Sequence, residues 1–139
     1  MTDNATRLHE FFERVWNTGD VAAVDEFLGD SYTIFSDPGD PWDGHTLDRD
    51  GFKQRLAVSR DPFPDLTFEI TNTVSHGDTV AVAWIMRGTQ TGPLPGIPAT
   101  GNSINVNGMT MYSFADGRIV GHRQVVDRMR VAQQLGLLG

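Results

Sequence analysis

The period of the hydrophobic pattern changes near Pro64, and this change constrains the fold more than any other feature of the chain. Upstream of Pro64, apolar side chains recur every three or four residues, first at Leu8, Phe11 and Val15, as in helices that pack on one side. Downstream, beginning at Leu66, apolar and polar residues alternate, which is typical of strands. Helices that precede a run of strands, rather than alternating with them, indicate an α+β fold.

The first half is predicted to hold three helices and one short strand. The helices cover residues 5–17, a short segment after Asp20, and residues 49–60. The strand covers residues 31–36 and leads into a loop of Asp, Pro and Gly at 37–45. We expect solvated turn residues in this loop, with a lid or a metal site as alternatives.

The second half is predicted to hold four strands and a terminal helix. Residues 66–71 and 80–87 form the first two strands, and residues 102–115 and 118–126 form the last two. The strand at 80–87 is apolar on both faces and should therefore lie inside the sheet. The terminal helix is expected from about residue 128.

Composition narrows the class of protein. The 139 residues suit one domain, 1–139, and the net charge of −7 disfavours nucleic acid and anionic membranes as partners. There is no cysteine for a disulfide or a thiolate nucleophile, and no targeting segment is recognised, so a cytoplasmic location is expected. The sequence contains no phosphate-binding or dinucleotide-binding motif, so we expect no cofactor and no metal.

Several short tracts occur in an order that is specific when they are taken together. They are Trp16–Asp20, Phe63–Leu66, Gly88–Gly92, Gly96–Gly101, Asp116–Ile119 and Gln134–Gly136. Together they resemble the SnoaL-like polyketide cyclases, also called ester cyclases, of the nuclear transport factor 2 and ketosteroid isomerase superfamily. The resemblance implies a cone-shaped, curved antiparallel sheet whose N-terminal helices enclose a pocket for a small apolar organic molecule. It also implies a homodimer formed through the open sheet face.

The resemblance also assigns positions within the pocket. The aspartate that serves these cyclases as general acid/base corresponds to Gln124, two residues after His122. A partner histidine of the family corresponds to Thr110, and another frequent histidine corresponds to Gln90. A glutamine amide does not exchange protons near neutral pH. The resemblance therefore implies a pocket enzyme of cyclase, isomerase or hydratase type without specifying the reaction.

Three residues of the last strand and its end are candidates for the catalytic site. Acid/base chemistry in an apolar pocket needs a titratable group inside it. His122 and Gln124 share a face by the period of two, so both should point into the pocket if either does. Asp127 either turns inward as the partner of His122 or caps the terminal helix.

Further residues are candidates for contacts with the substrate. The expected pocket walls are Trp16, Tyr32, Trp84 and Met86, for which core packing is the alternative. Thr110 and Tyr112 share a strand face and are expected to donate hydrogen bonds to a carbonyl or enolate oxygen, unless they pair with neighbouring strands instead. The leading hypothesis is a cofactor-independent acid/base enzyme. A non-catalytic binding protein and a purely structural subunit are the alternatives.

Overall fold

Helices and strands occupy the two halves of the chain, as the change of period predicts. The computed structural model describes residues 3–138. The helices are α1 (Asn4–Phe11), α2 (Val24–Phe27), α3 (Arg49–Arg60) and α4 (Arg128–Gln134). The strands are β1 (Leu28–Ser36), β2 (Thr46–Leu47), β3 (Thr67–His76), β4 (Thr79–Thr89), β5 (Ser103–Ala115) and β6 (Arg118–Val126).

The first predicted helix is continuous but changes its winding. After α1, residues Phe12–Asn17 form a π-helical turn. The side chain of Asn17 fastens the end of this turn to β3, because it accepts a hydrogen bond from Phe68 N at 2.7 Å and donates one to Phe68 O at 3.1 Å. Local π-turns are frequent at functional sites, and two residues of this one, Phe12 and Trp16, line the pocket described below.

The six strands form one sheet in the order β2-β1-β6-β5-β4-β3. All neighbouring strands are antiparallel except β1 and β6, which run parallel. The strand predicted to be interior, β4, does lie between β5 and β3. The predicted strand at 31–36 starts three residues earlier, at Leu28, and β2 was not predicted. β2 is a two-residue edge strand that pairs only with β1, whereas Leu28, at the start of β1, pairs with Ile119 on β6.

One face of the sheet packs on the helices and the other stays open. Val80, Val82 and Trp84 on β4 are buried on the helix side. Trp84 requires a glycine opposite it on β5, because a Cβ at Gly108 would lie 2.2 Å from the indole ring. The open face carries exposed apolar side chains. No helix within residues 3–138 has the length and apolar character needed to cross a membrane.

Candidate active site

A pocket of about 340 Å³ lies between the concave sheet face, the helices before it and α4. Its apolar lining includes Phe12, Trp16, Phe63, Phe68, Trp84, Met86, Leu94 and Leu135. Its polar lining consists of Asp40, Arg55, Ser59, Tyr112, His122, Gln124 and Arg128. A largely apolar cavity with a few convergent polar groups is typical of a small-molecule site.

Asp37 organises the polar end of this pocket from just outside its lining. The carboxylate is fully buried, and one oxygen, Oδ2, accepts hydrogen bonds from His122 Nε2 at 2.9 Å, Gln124 Nε2 at 3.2 Å and Arg55 Nη2 at 3.2 Å. Arg128 Nη2 lies 3.5 Å from the other oxygen. The prediction of solvated turn residues for this loop is therefore wrong at Asp37.

A bulge explains why Asp37 faces inward. On β1, Tyr32 and Ile34 are buried, so strict alternation would point Asp37 to the other side. The pairing of β1 with β6 shifts between Ile34 and Ser36, which changes the parity of the strand just before Asp37. The loop then folds back, and Asp43 Oδ1 accepts a hydrogen bond from Asp37 N at 2.7 Å.

His122 is held at both ring nitrogens. Nε2 faces Asp37, and Nδ1 lies 2.5 Å from the Tyr32 hydroxyl. Because a carboxylate only accepts hydrogen bonds, the neutral ring carries its proton on Nε2, and Tyr32 then donates to Nδ1. Burial lowers the pKa of His122, and the hydrogen bond to Asp37 opposes this effect only in part. The imidazole is therefore neutral near pH 7.

Arg55 supplies the buried positive charge of the site. Its side chain leaves α3 on the same face as Phe52 and Leu56, and Nη2 donates to both Asp37 and Asp40, the latter at 3.1 Å. Burial disfavours the guanidinium, but the charge of Asp40 and other acidic neighbours outweighs it and raises the pKa of Arg55. The site therefore contains a permanent cation between two carboxylates.

Gln124 is placed by a chain of hydrogen bonds across the sheet. Trp84 Nε1 donates to Thr110 Oγ1 at 2.9 Å, and Thr110 donates to Gln124 Oε1 at 2.8 Å. The amide then donates from Nε2 to Asp37. Thr110 has one hydroxyl proton and gives it to Gln124, so the expectation that Thr110 donates to a substrate oxygen is wrong.

The other predicted residues divide between the pocket and its surroundings. His122 and Gln124 lie together in the lining, as do Trp16, Trp84, Met86 and Tyr112. Asp127 is exposed and absent from this lining, because its carboxylate caps α4 by accepting from Arg130 N at 3.0 Å. The inward orientation considered for Asp127 is therefore wrong. Tyr32 is buried behind His122 rather than in the lining, so its expected role as a pocket wall is also wrong.

Gln90, which stands at the position of a frequent family histidine, has a structural role. Its side chain is buried, and Oε1 accepts hydrogen bonds from Thr100 N at 3.2 Å and Thr100 Oγ1 at 2.7 Å. Gln90 therefore secures the loop that leads into β5. The polar groups that sequence reasoning missed are Asp37, Asp40 and Arg55. Among residues 3–138, no cluster of three His, Asp or Glu side chains is arranged to hold a metal ion.

Comparisons with known proteins agree with the fold. The family model described as SnoaL-like polyketide cyclase matches residues 6–135. A candidate polyketide cyclase from Acidithiobacillus ferrooxidans is 38% identical, with a TM-score of 0.92, covering 100% of this chain and 99% of that one. IdmH, a candidate polyketide cyclase from Streptomyces antibioticus, is 28% identical, with a TM-score of 0.81 and coverage of 97% and 99%. TsrD from Streptomyces laurentii is 25% identical, with a TM-score of 0.83 and coverage of 99% and 100%. No curated protein gave a match.

Proposed function

Since the chain belongs to the SnoaL-like polyketide cyclase family, we propose that it is a cofactor-independent enzyme acting by acid/base chemistry on an apolar, oxygenated small molecule. The reaction class is cyclisation, isomerisation or hydration, all of which need a proton moved next to a carbonyl group. One observation carries the proposal: a neutral, buried His122, held by Asp37, lies in the wall of an otherwise apolar pocket.

His122 is the proposed proton acceptor, and Asp37 is its positioning residue. The neutral imidazole is basic at Nδ1, and it accepts a proton from the substrate once the ring tilts into the pocket and Nδ1 leaves the Tyr32 hydroxyl behind it. The carboxylate of Asp37, 2.9 Å from Nε2, then stabilises the imidazolium that forms. Because His122 is only 2% exposed, water does not compete for this proton as it would at the surface.

Gln124 and Tyr112 are proposed to orient the substrate. Gln124 has its amide direction set by Thr110 and Asp37, and it offers no ionisable group of its own. Burial raises the pKa of Tyr112, so its hydroxyl keeps its proton and can donate to a substrate oxygen. The proton-transfer step therefore depends on His122, with Gln124 in the place where the family carries an aspartate.

The test uses 2-tetralone, an apolar bicyclic ketone with exchangeable α-protons, incubated with the protein in D2O and followed by proton NMR. We expect the wild type to accelerate exchange over the rate in buffer. The acceleration by His122→Gln should be at least about tenfold smaller, since a positioned base typically contributes this much or more. Asp127→Ala is the control and should exchange at the wild-type rate, because Asp127 lies outside the pocket. Equal exchange in the wild type and His122→Gln would remove His122 from the mechanism.

A non-catalytic binding protein is the second candidate. Two observations favour it: both ring nitrogens of His122 are already bonded within the protein, and Gln124 and Thr110 replace ionisable residues of the family. This alternative predicts that 2-tetralone binds, as seen by quenching of Trp16 and Trp84 fluorescence, but that its α-protons exchange no faster than in buffer.

We also propose that two copies pair through the open sheet face. Val74, Met109, Met111 and Val125 are 47% to 71% exposed there, which is unusual for apolar side chains of a monomer. Sedimentation velocity should give twice the chain mass for the wild type and the chain mass for Val125→Glu. A monomeric wild type at micromolar concentration would contradict the dimer.

A further inference from the structure

Arg55 has donor nitrogens that no acceptor within residues 3–138 engages. Its Nε is the one buried side-chain nitrogen or oxygen of residues 3–138 that lacks a hydrogen-bond partner. Both ion pairs of the guanidinium use Nη2, so Nη1 also finds no acceptor within the same residues, and unlike Nε it is not fully buried. Burying a donor without a partner is unfavourable by about 1–3 kcal/mol, and such atoms in folded proteins call for an explanation.

The position of Arg55 makes Nη1 available to a ligand. The side chain is 5% exposed and belongs to the pocket lining, and its guanidinium carbon lies 5.8 Å from the ring centre of Trp16, another lining residue. His122, Gln124 and Tyr112 line the same pocket. A ligand that fills the apolar part of the cavity therefore brings one end to Arg55.

The charges around Arg55 select the kind of oxygen that it binds. Asp37 and Asp40 both contact Nη2 and already neutralise the guanidinium. A carboxylate ligand would bring a third negative charge close to these two, whereas a neutral carbonyl oxygen accepts from Nη1 without that repulsion. Arg128 lies 3.5 Å from the other oxygen of Asp37, but it is 44% exposed, so solvent screens its charge more than that of Arg55.

We propose that Arg55 binds the carbonyl oxygen of a neutral ketone or ester substrate through Nη1. This proposal rests on the proposed function, because it names the group on which His122 acts: removing an α-proton places negative charge on that oxygen, beside a fixed cation. The proton leaves carbon for the His122 nitrogen, and the electron pair of the broken C–H bond moves to the carbonyl oxygen. No oxidant or further reactant is needed.

Binding measurements test Arg55 separately from turnover. The probes are 2-acetylnaphthalene, its isostere 2-isopropenylnaphthalene, in which a methylene group replaces the carbonyl oxygen, and 2-naphthoate, followed by tryptophan fluorescence. We expect the ketone to bind the wild type about tenfold more tightly than its isostere, as for a hydrogen bond from a charged donor. In Arg55→Lys, the preference should fall to about twofold or less, because a lysine keeps the charge but does not place a donor at the position of Nη1.

The control is Arg87→Lys, whose side chain pairs with Glu69 away from the pocket and should leave the preference unchanged. An equal preference for the ketone in the wild type and Arg55→Lys would overturn the proposal, as would tighter binding of 2-naphthoate than of the ketone.

If Arg55→Lys does not fold, NMR of the wild type decides. The Arg55 Nη1–H signals should move downfield with the ketone and not with the isostere, and unmoved signals refute the proposal. If the wild type keeps the ketone preference but does not accelerate the exchange of the 2-tetralone α-protons, the result counts against the role of His122 and not against that of Arg55.

Discussion

The buried imidazole of His122 should make folding stability fall as the pH drops from 7 to 5. Burial lowers its pKa in the folded state from the ordinary 6.5, so the unfolded chain binds a proton that the native protein excludes. The stability that comes from this difference is present above pH 6.5 and is lost as the pH falls. With an unfolded-state pKa of 6.5, this imidazole can remove at most about 2 kcal/mol of stability between pH 7 and pH 5.

Urea unfolding followed by tryptophan fluorescence, at half-unit steps of pH, measures this loss. In His122→Gln the loss should nearly disappear, because the amide still donates to Asp37 but does not titrate. His76→Gln removes an exposed histidine and should keep the wild-type slope. The carboxyls with lowered pKa have ordinary values of 3.8 to 4.5 and act below this window. A wild-type stability that is flat from pH 7 to 5, or an unchanged slope in His122→Gln, would refute the reasoning.

Three further changes test the surroundings of the pocket. Asp127→Ala should lower the free energy of unfolding by about 1 kcal/mol, the usual effect of losing an N-cap, and a loss of ketone binding instead would contradict its place outside the pocket. Gly108→Ala should displace the Trp84 ring, since the new Cβ meets it at 2.2 Å; a loss of about 1–3 kcal/mol and a shifted tryptophan emission are expected, and an unchanged emission would contradict the contact. Gln124→Asp puts a second carboxylate beside Asp37, which raises a folded-state pKa, so the variant should lose more stability at pH 7 than at pH 5. Gln124→Asn is the neutral control, and equal losses at both pH values in both variants would contradict this coupling.

The helices and strands were predictable because each has a face that is buried and a face that is not. The alternation in β4 and the helical spacing in α1 record that one-sided burial directly in the sequence. The shared face of His122 and Gln124 followed from the same rule, and both side chains do line the pocket. The orientation of the Asp127 side chain could not be predicted from this rule, because a residue at a strand end can either turn inward or cap the next helix.

The buried charges were missed for two different reasons. Asp37 gave no periodic signal, because the bulge between Ile34 and Ser36 reverses the side to which it points, and bulges are set by pairing with a distant strand. Arg55 did give a signal: it falls between Phe52 and Leu56 on the apolar face of α3. A charged residue at such a position requires a buried partner, and an acidic residue near the sheet edge would have been the one to seek.

The two departures from the family pattern, Gln124 and Thr110, are explained together by Asp37. A carboxylate at position 124 would have no hydrogen to donate, and it would lie against the Asp37 carboxylate, where like charges oppose ionisation of both. An amide at the same place accepts from Thr110 with its oxygen and donates to Asp37 with its nitrogen. The negative charge of the site therefore comes from the loop after β1 instead of from the last strand. It faces the imidazole of His122 from the Nε2 side, so the polarity of the pocket is retained although the ionisable residue at position 124 is not.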